Sequence, residues 1–254
     1  MAHPWLAFPA GIGISTIVMC VGFGGGMLWM PFLLIFLKLQ PDVAIATSLL
    51  LQTYGTASGS FAYVRQKQAD IKLAILLLVF AAPGIAAGAY IAHKLTLFNL
   101  ELLIGLLAMV TAFVFVSSNQ KYTEEGSDRV AIAKAAGHSW VIGIMAIASG
   151  MLTVNTGEWL IPIMQKKMGL RMSNAIATCI VMTFGISLVG VLIHLGMGGK
   201  PSLAAALWGF PGVLIGGQIG PRLVRMIDER TLKEVFIFVL TLISIHLLYN
   251  SYSG

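Results

Sequence analysis

The sequence predicts an all-α integral membrane protein made of two inverted repeats, each a broken, re-entrant helical hairpin followed by three transmembrane helices. Three observations carry this. The 254 residues are 57% hydrophobic and only 10% charged, whereas a soluble domain holds about a quarter charged residues. Eight apolar blocks follow one another, several near the roughly 20 residues that cross bilayer hydrocarbon. One ordered set of small and proline residues occurs twice.

The blocks are 4–37, 43–64, 71–92, 98–117, 139–164, 173–195, 203–224 and 232–249. The stretch 71–93 contains one charge, Lys72, and 203–224 contains only Arg222. Mean hydropathy over the chain is +0.88. The polar stretch 119–137 holds Lys121, Glu124, Glu125, Asp128, Arg129 and Lys134. It reads as a cytoplasmic linker between a first transmembrane repeat, 1–118, and a second, 138–254. The net charge of +6 comes from basic residues in short loops. That placement orients a membrane protein and does not indicate nucleic-acid binding. Cys20 and Cys179 lie in apolar segments and read as buried hydrophobes, with no metal site or disulfide framework. No Lys or Arg precedes Pro9, so no cleavable signal peptide is expected.

The repeat is visible in the letters. Ala44-Ile45-Ala46-Thr47-Ser48 matches Ala175-Ile176-Ala177-Thr178-Cys179 at an offset of 131. The same offset carries Pro31 to Pro162, Gly26 to Gly157 and Gly59 to Gly190. Pro83-Gly84 and Gly88 match Pro211-Gly212 and Gly216 at 128, a slip assigned to a gap in the loop before the third block. Internal repeats of this kind are typical of secondary transporters.

The first block is too long for one crossing: its 34 residues would reach roughly 50 Å as a helix. Gly22-Phe23-Gly24-Gly25-Gly26 interrupts it, and glycine is a poor helix former. A hairpin folded at the glycines resolves both points. The fifth block has a weaker counterpart at Asn155-Thr156-Gly157. Loop charges agree. With the first and fifth blocks crossing once, the basic residues divide seven against nine. With both as hairpins, Lys38, Lys94 and Lys200 stand alone against thirteen, as positive-inside sorting requires. Both termini are then expected outside, and the two halves are inverted. Full-depth and re-entrant hairpins give the same division.

The set Gly22-Phe23-Gly24-Gly25-Gly26, Pro31 and Ala44-Ile45-Ala46-Thr47-Ser48, with the Pro-Gly and Gly of the third block, resembles the TauE/SafE family of sulfite and organosulfonate transporters (TSUP). Both halves carry the resemblance, so it covers nearly the whole chain. It implies movement of sulfite, an organosulfonate or a related anion across a prokaryotic cytoplasmic (inner) membrane. The second half departs from the family pattern: Val154-Asn155-Thr156-Gly157-Glu158 stands where a second glycine cluster is usual.

Several residues are placed to carry transport. A helix broken at membrane depth frees backbone N–H groups, which together with the positive end of a half-helix suit an anion. Gly24, Gly25 and Gly26 form one such cradle, and Asn155, Thr156 and Gly157 its mirror. The alternative role for these small residues is close helix packing. Ser48, Gln52, Thr56 and Ser60 recur every four residues and share a helix face; Cys179, Thr183 and Ser187 match the first three at 131. Ser48, Gln52 and Thr183 are the substrate-binding candidates here, set against plain interhelical hydrogen bonding. Glu158 is an ionisable group inside an apolar block, a candidate proton carrier or else a helix-capping charge. His194 reads as an interfacial histidine, and Trp29 and Trp159 follow the two breaks as walls.

No Gly-x-x-x-x-Gly-Lys-[Ser/Thr] loop and no His-Glu-x-x-His motif occurs. The expectation is therefore a secondary active transporter, exporter or permease, and not an enzyme. It needs no cofactor, and its partners are a small anion, the lipid bilayer and protons as coupling ion. The alternatives are a passive anion channel and a cation-binding membrane protein using Glu158 and Asn155.

Overall fold

The structure is a computed structural model that describes residues 3–22, 25–95, 99, 102–103, 106, 126–131, 137, 139–152, 157–223 and 241. Most of the expected fourth and eighth blocks, most of the linker, and Gly24, Asn155 and Thr156 lie outside the described residues.

Among the described residues every regular element is helical. After a 3-10 turn at Pro4–Leu6 come α1 (Ala7–Val21), α2 (Gly26–Pro31), which continues as a π turn Phe32–Phe36, α3 (Pro41–Arg65) and α4 (Ile71–Lys94). Then follow α5 (Ser139–Leu152), α6 (Gly157–Lys166), α7 (Met172–Gly196) and α8 (Leu203–Leu223). Thus the order short helix, break, short helix, long helix, long helix occurs twice. Among the described residues three helices are long and apolar enough to cross a membrane: α4, α7 and α8.

Local chemistry explains the boundaries. α1 stops at Gly22, which sits in the left-handed region at φ 80° and donates its N–H to Val18 O; glycine takes that conformation without steric cost. Pro41 opens α3, where its missing N–H is harmless. Asp70 caps α4 by accepting the Leu73 N–H at 3.2 Å, and Ser202 caps α8 by accepting that of Ala205 at 3.4 Å.

Packing joins each half to the other. α1 lies along α8, and their contacts advance together from Gly11 beside Gly209 to Cys20, whose thiol donates to Gly220 O. These two helices therefore run in the same direction. α5 lies likewise along α4, with Gly143 against Gly84 and Ile147 against Gly88. α3 runs with α8, from Thr47 beside Ser202 to Ser58 beside Leu214. α4 runs with α7, from Asp70 beside Thr178 to Leu78 beside Gly185. α3 and α7 run oppositely, Leu49 meeting Gly190 and Ser60 meeting Ile180.

These contacts correct one sequence match. A side chain on Gly84 would strike Gly143 and Ala146, and one on Gly216 would strike Ile12 and Ser15, which are their counterparts at 131. Gly88 meets Ile147 and Met151; Gly220 meets Thr16 and Cys20. Gly84 therefore corresponds to Gly216 and Gly88 to Gly220, at an offset of 132, and the loop before the third block is one residue longer in the second half than in the first. Glycine recurs at Gly212, Gly216 and Gly220, close to one helical turn apart, so a shift of one turn matches the letters equally well. Only the contacts separate the two alignments.

The AIAT motif does structural work at both ends of the bundle. Thr47 Oγ accepts the Ser202 N–H at 2.8 Å, and Thr178 Oγ accepts the Asp70 N–H at 2.9 Å. Each threonine thus holds the capping residue of a helix in the other half. The described part of the linker docks where α3 ends and α7 begins. Ser127 pairs with Gly169 and Arg171 through backbone bonds of 2.9 Å, and Val130 N–H donates to Asp70 Oδ2 at 3.1 Å. That end carries Arg65, Lys67, Lys72, Arg129, Lys166, Lys167, Arg171 and Arg222; the opposite end carries Lys38, Lys94 and Lys200.

Candidate functional site

α3 is the most polar of the long helices, and nearly all of its polar side chains are buried. Its hydroxyls are mostly committed. Thr53 and Thr56 donate to Leu49 O and Gln52 O one turn back, Ser58 to Leu214 O of α8, and Ser60 to Ile180 O of α7. Such bonds make a polar helix tolerable at membrane depth. Gln52, only 4% exposed, donates one amide N–H to Ser48 Oγ at 3.2 Å. A primary amide has two such donors.

Gln52 borders a small, partly open cavity lined by three elements. Ser15, Val18 and Met19 come from α1, Gly25 and Trp29 from the far side of the first break, and Leu51, Gln52, Gly55 and Thr56 from α3. None of these side chains is charged. Gly25 precedes the first turn of α2, whose leading N–H groups have no acceptor within the helix. A Cβ at Gly25 would stand 2.9 Å from Trp29 Cδ1 and 3.3 Å from Gln52 Cγ, so glycine is what leaves this wall open. Trp29 is buried and stacks edge-on against Phe32 at 5.7 Å.

The structure therefore brings Gly25 and Gln52 together, with Ser48 behind Gln52. Gly26 is buried at the start of α2. Thr183 is buried on α7, donates to Cys179 O at 2.8 Å, and does not line this cavity. Gly157 and Glu158 are the first two residues of α6; their side-chain surroundings lie outside the described residues. Trp29 walls the cavity as expected. Ser15 was not singled out in the sequence, because a lone serine in an apolar block carries no signal. Among the described residues no group of His, Cys, Asp or Glu is arranged to hold a metal ion.

Comparison with known proteins bears on the whole chain. A family model described as Sulfite exporter TauE/SafE matches residues 7–247. The probable membrane transporter protein YunE of Bacillus subtilis is 24% identical over 94% of this chain and 95% of its own length. The probable membrane transporter protein YjnA of the same organism is 24% identical over 84% of this chain and 88% of its own length. The probable membrane transporter protein MamO of Magnetospirillum gryphiswaldense is 28% identical over 50% of this chain, a match that spans 21% of that protein. No solved structure matches the chain.

Proposed function

The chain belongs to the sulfite exporter TauE/SafE family, a membrane transporter rather than an enzyme, and from that premise we propose that it moves a small sulfur-containing anion, sulfite or an organosulfonate, by alternating access through the cavity at the first break. The observation that carries this reading is the lining itself. Trp29, Gln52 and Gly25 line one small uncharged space, and an indole, a primary amide and a backbone all carry N–H donors. Donors without a fixed positive charge can replace part of an anion's hydration and still let it leave. Gly24 and Gly26 would extend this cradle, and Asn155, Thr156 and Gly157 would form the opposing one, with Ser48 and Thr183 supporting the two long helices.

Inverted repeats are part of the proposal. Pairwise register supports them: α1, α3 and α8 run one way, while α4, α5 and α7 run the other. Equivalent helices are then opposed in direction, the arrangement on which alternating access rests. Among the described residues, eight basic side chains at one end against three at the other favour placing the linker end in the cytoplasm, with both termini outside a prokaryotic inner membrane.

Glu158 is the proposed coupling residue. At the second position of α6, a protonated carboxyl would tolerate a neighbouring anion that an ionised one would repel. The test is flux of sulfite and of a short organosulfonate into proteoliposomes, with and without a pH gradient, in wild type and Glu158→Gln. Saturable, gradient-driven flux that loses its gradient response in Glu158→Gln is the expected result. Gradient-driven flux unchanged by the substitution would return Glu158 to helix capping. Flux that never runs uphill would make the protein an anion channel, and no flux of either anion in folded protein would remove the sulfur substrate.

A further inference from the structure

α1 ends at Val21 and α5 is described to Leu152, and a helix end leaves carbonyl groups without intrahelical partners. In low-dielectric surroundings such groups must find other donors. The phenol of Tyr63, on α3, donates to Met19 O, two residues before the end of α1, at 2.7 Å. In the other half His194 Nε2, on α7, lies 3.0 Å from Gly150 O, near the end of α5. A carbonyl can only accept, so the imidazole tautomer here carries its proton on Nε2. Donor and acceptor both correspond at 131: Tyr63 with His194 and Met19 with Gly150. The residue types differ, but the position, the partner atom and the long helix that supplies the donor are the same.

We infer that Tyr63 and His194 are paired positioning residues, each fixing the helix that enters one of the two breaks. The two ties sit at opposite ends of the bundle, Tyr63 two residues before the end of α3 and His194 two before the end of α7, whose directions oppose. Each tie therefore holds one helix at one end of the bundle, and loosening it leaves the other tie in place. Tyr63 also acts on the cavity, because Met19 is part of its wall.

Hydrogen–deuterium exchange on the purified protein tests this without reference to any substrate, so the inference can fail or stand separately from the proposed transport. In Tyr63→Phe, amides of 18–22 should exchange at least about fivefold faster while 149–152 stay within about twofold of wild type. In His194→Leu the pattern should reverse. His194→Gln, which keeps an N–H donor, should restore slow exchange at 149–152. Tyr63→Phe removes one oxygen atom and keeps the ring, so it reads the tie even if the His194 variants fold poorly. Faster exchange in both segments of either variant would show general loosening, and no change in folded Tyr63→Phe would show that the bond positions nothing; either result overturns the inference.

Discussion

α3 and α7 occupy equivalent places and are each 25 residues long, yet they differ in chemistry. α7 is apolar enough by composition to cross a membrane, and α3 is not. At an offset of 131, Gln52 of α3 stands opposite Thr183 of α7, Gly55 opposite Ile186 and Ser58 opposite Val189. What the two helices share is the scaffold. Thr47 and Thr178 hold the capping residues of α8 and α4, and Tyr63 and His194 hold the helices entering the breaks. What they do not share is the cavity lining. Symmetric positions thus build the frame, while among the described residues the cavity is lined from the first half. α3 can carry this polarity because α1, α7 and α8 enclose it.

Placing α7 residues into α3 breaks the comparison most severely at Gly55. A Cβ there would lie 2.9 Å from Ser15 Oγ and 3.3 Å from Val213 Cβ. Gly55→Ile should fill the cavity and lower stability by about 3 kcal/mol. Thermal melting in detergent and loss of flux would register it; Gly13→Ala, with nothing within 4 Å of the added carbon, is the neutral control. The shared frame is tested by Thr47→Val and Thr178→Val. Each leaves one buried N–H without its acceptor, and each should lower stability by about 1–3 kcal/mol. A clear drop in only one of them would deny that the two ties are equivalent.

A smaller effect is expected from Ser58→Val. It removes the bond to Leu214 O, while Gln218 Nε2 keeps its 2.8 Å bond to Ser58 O. The melting midpoint should fall by the equivalent of about 1 kcal/mol. The smallest belongs to Arg171→Ala. Its 3.2 Å pair with Asp128 is 42% and 67% exposed, and such pairs contribute about 0–1 kcal/mol. An unchanged midpoint is expected, and a large fall would mean that the linker contact stabilises its end of the bundle more than an exposed ion pair can.

The repeated frame was legible in the sequence wherever the same letter did the same job. Thr47 and Thr178, Pro31 and Pro162, and the two breaks all stood out at one offset. Tyr63 and His194 escaped, because a phenol and an imidazole share a donor function and no letter. The Pro83 and Pro211 match misled for the opposite reason: glycines one turn apart repeat the letters while facing different neighbours. Gln52 and Gly25 were recognised singly, from burial cost and backbone freedom. That they face one cavity with Ser15 and Trp29 depends on where α1 and α2 turn back against α3, which no local pattern encodes.

The central claim is that the ligand is met at Gln52 on the first half. The most direct measurement is kcat/KM for anion flux in proteoliposomes of Gln52→Thr, which installs the residue that α7 carries at the matching position. The account predicts at least about a tenfold fall, equivalent to about 1.4 kcal/mol, with the melting midpoint unchanged. Flux equal to wild type in folded Gln52→Thr would contradict it and move the site away from the first break.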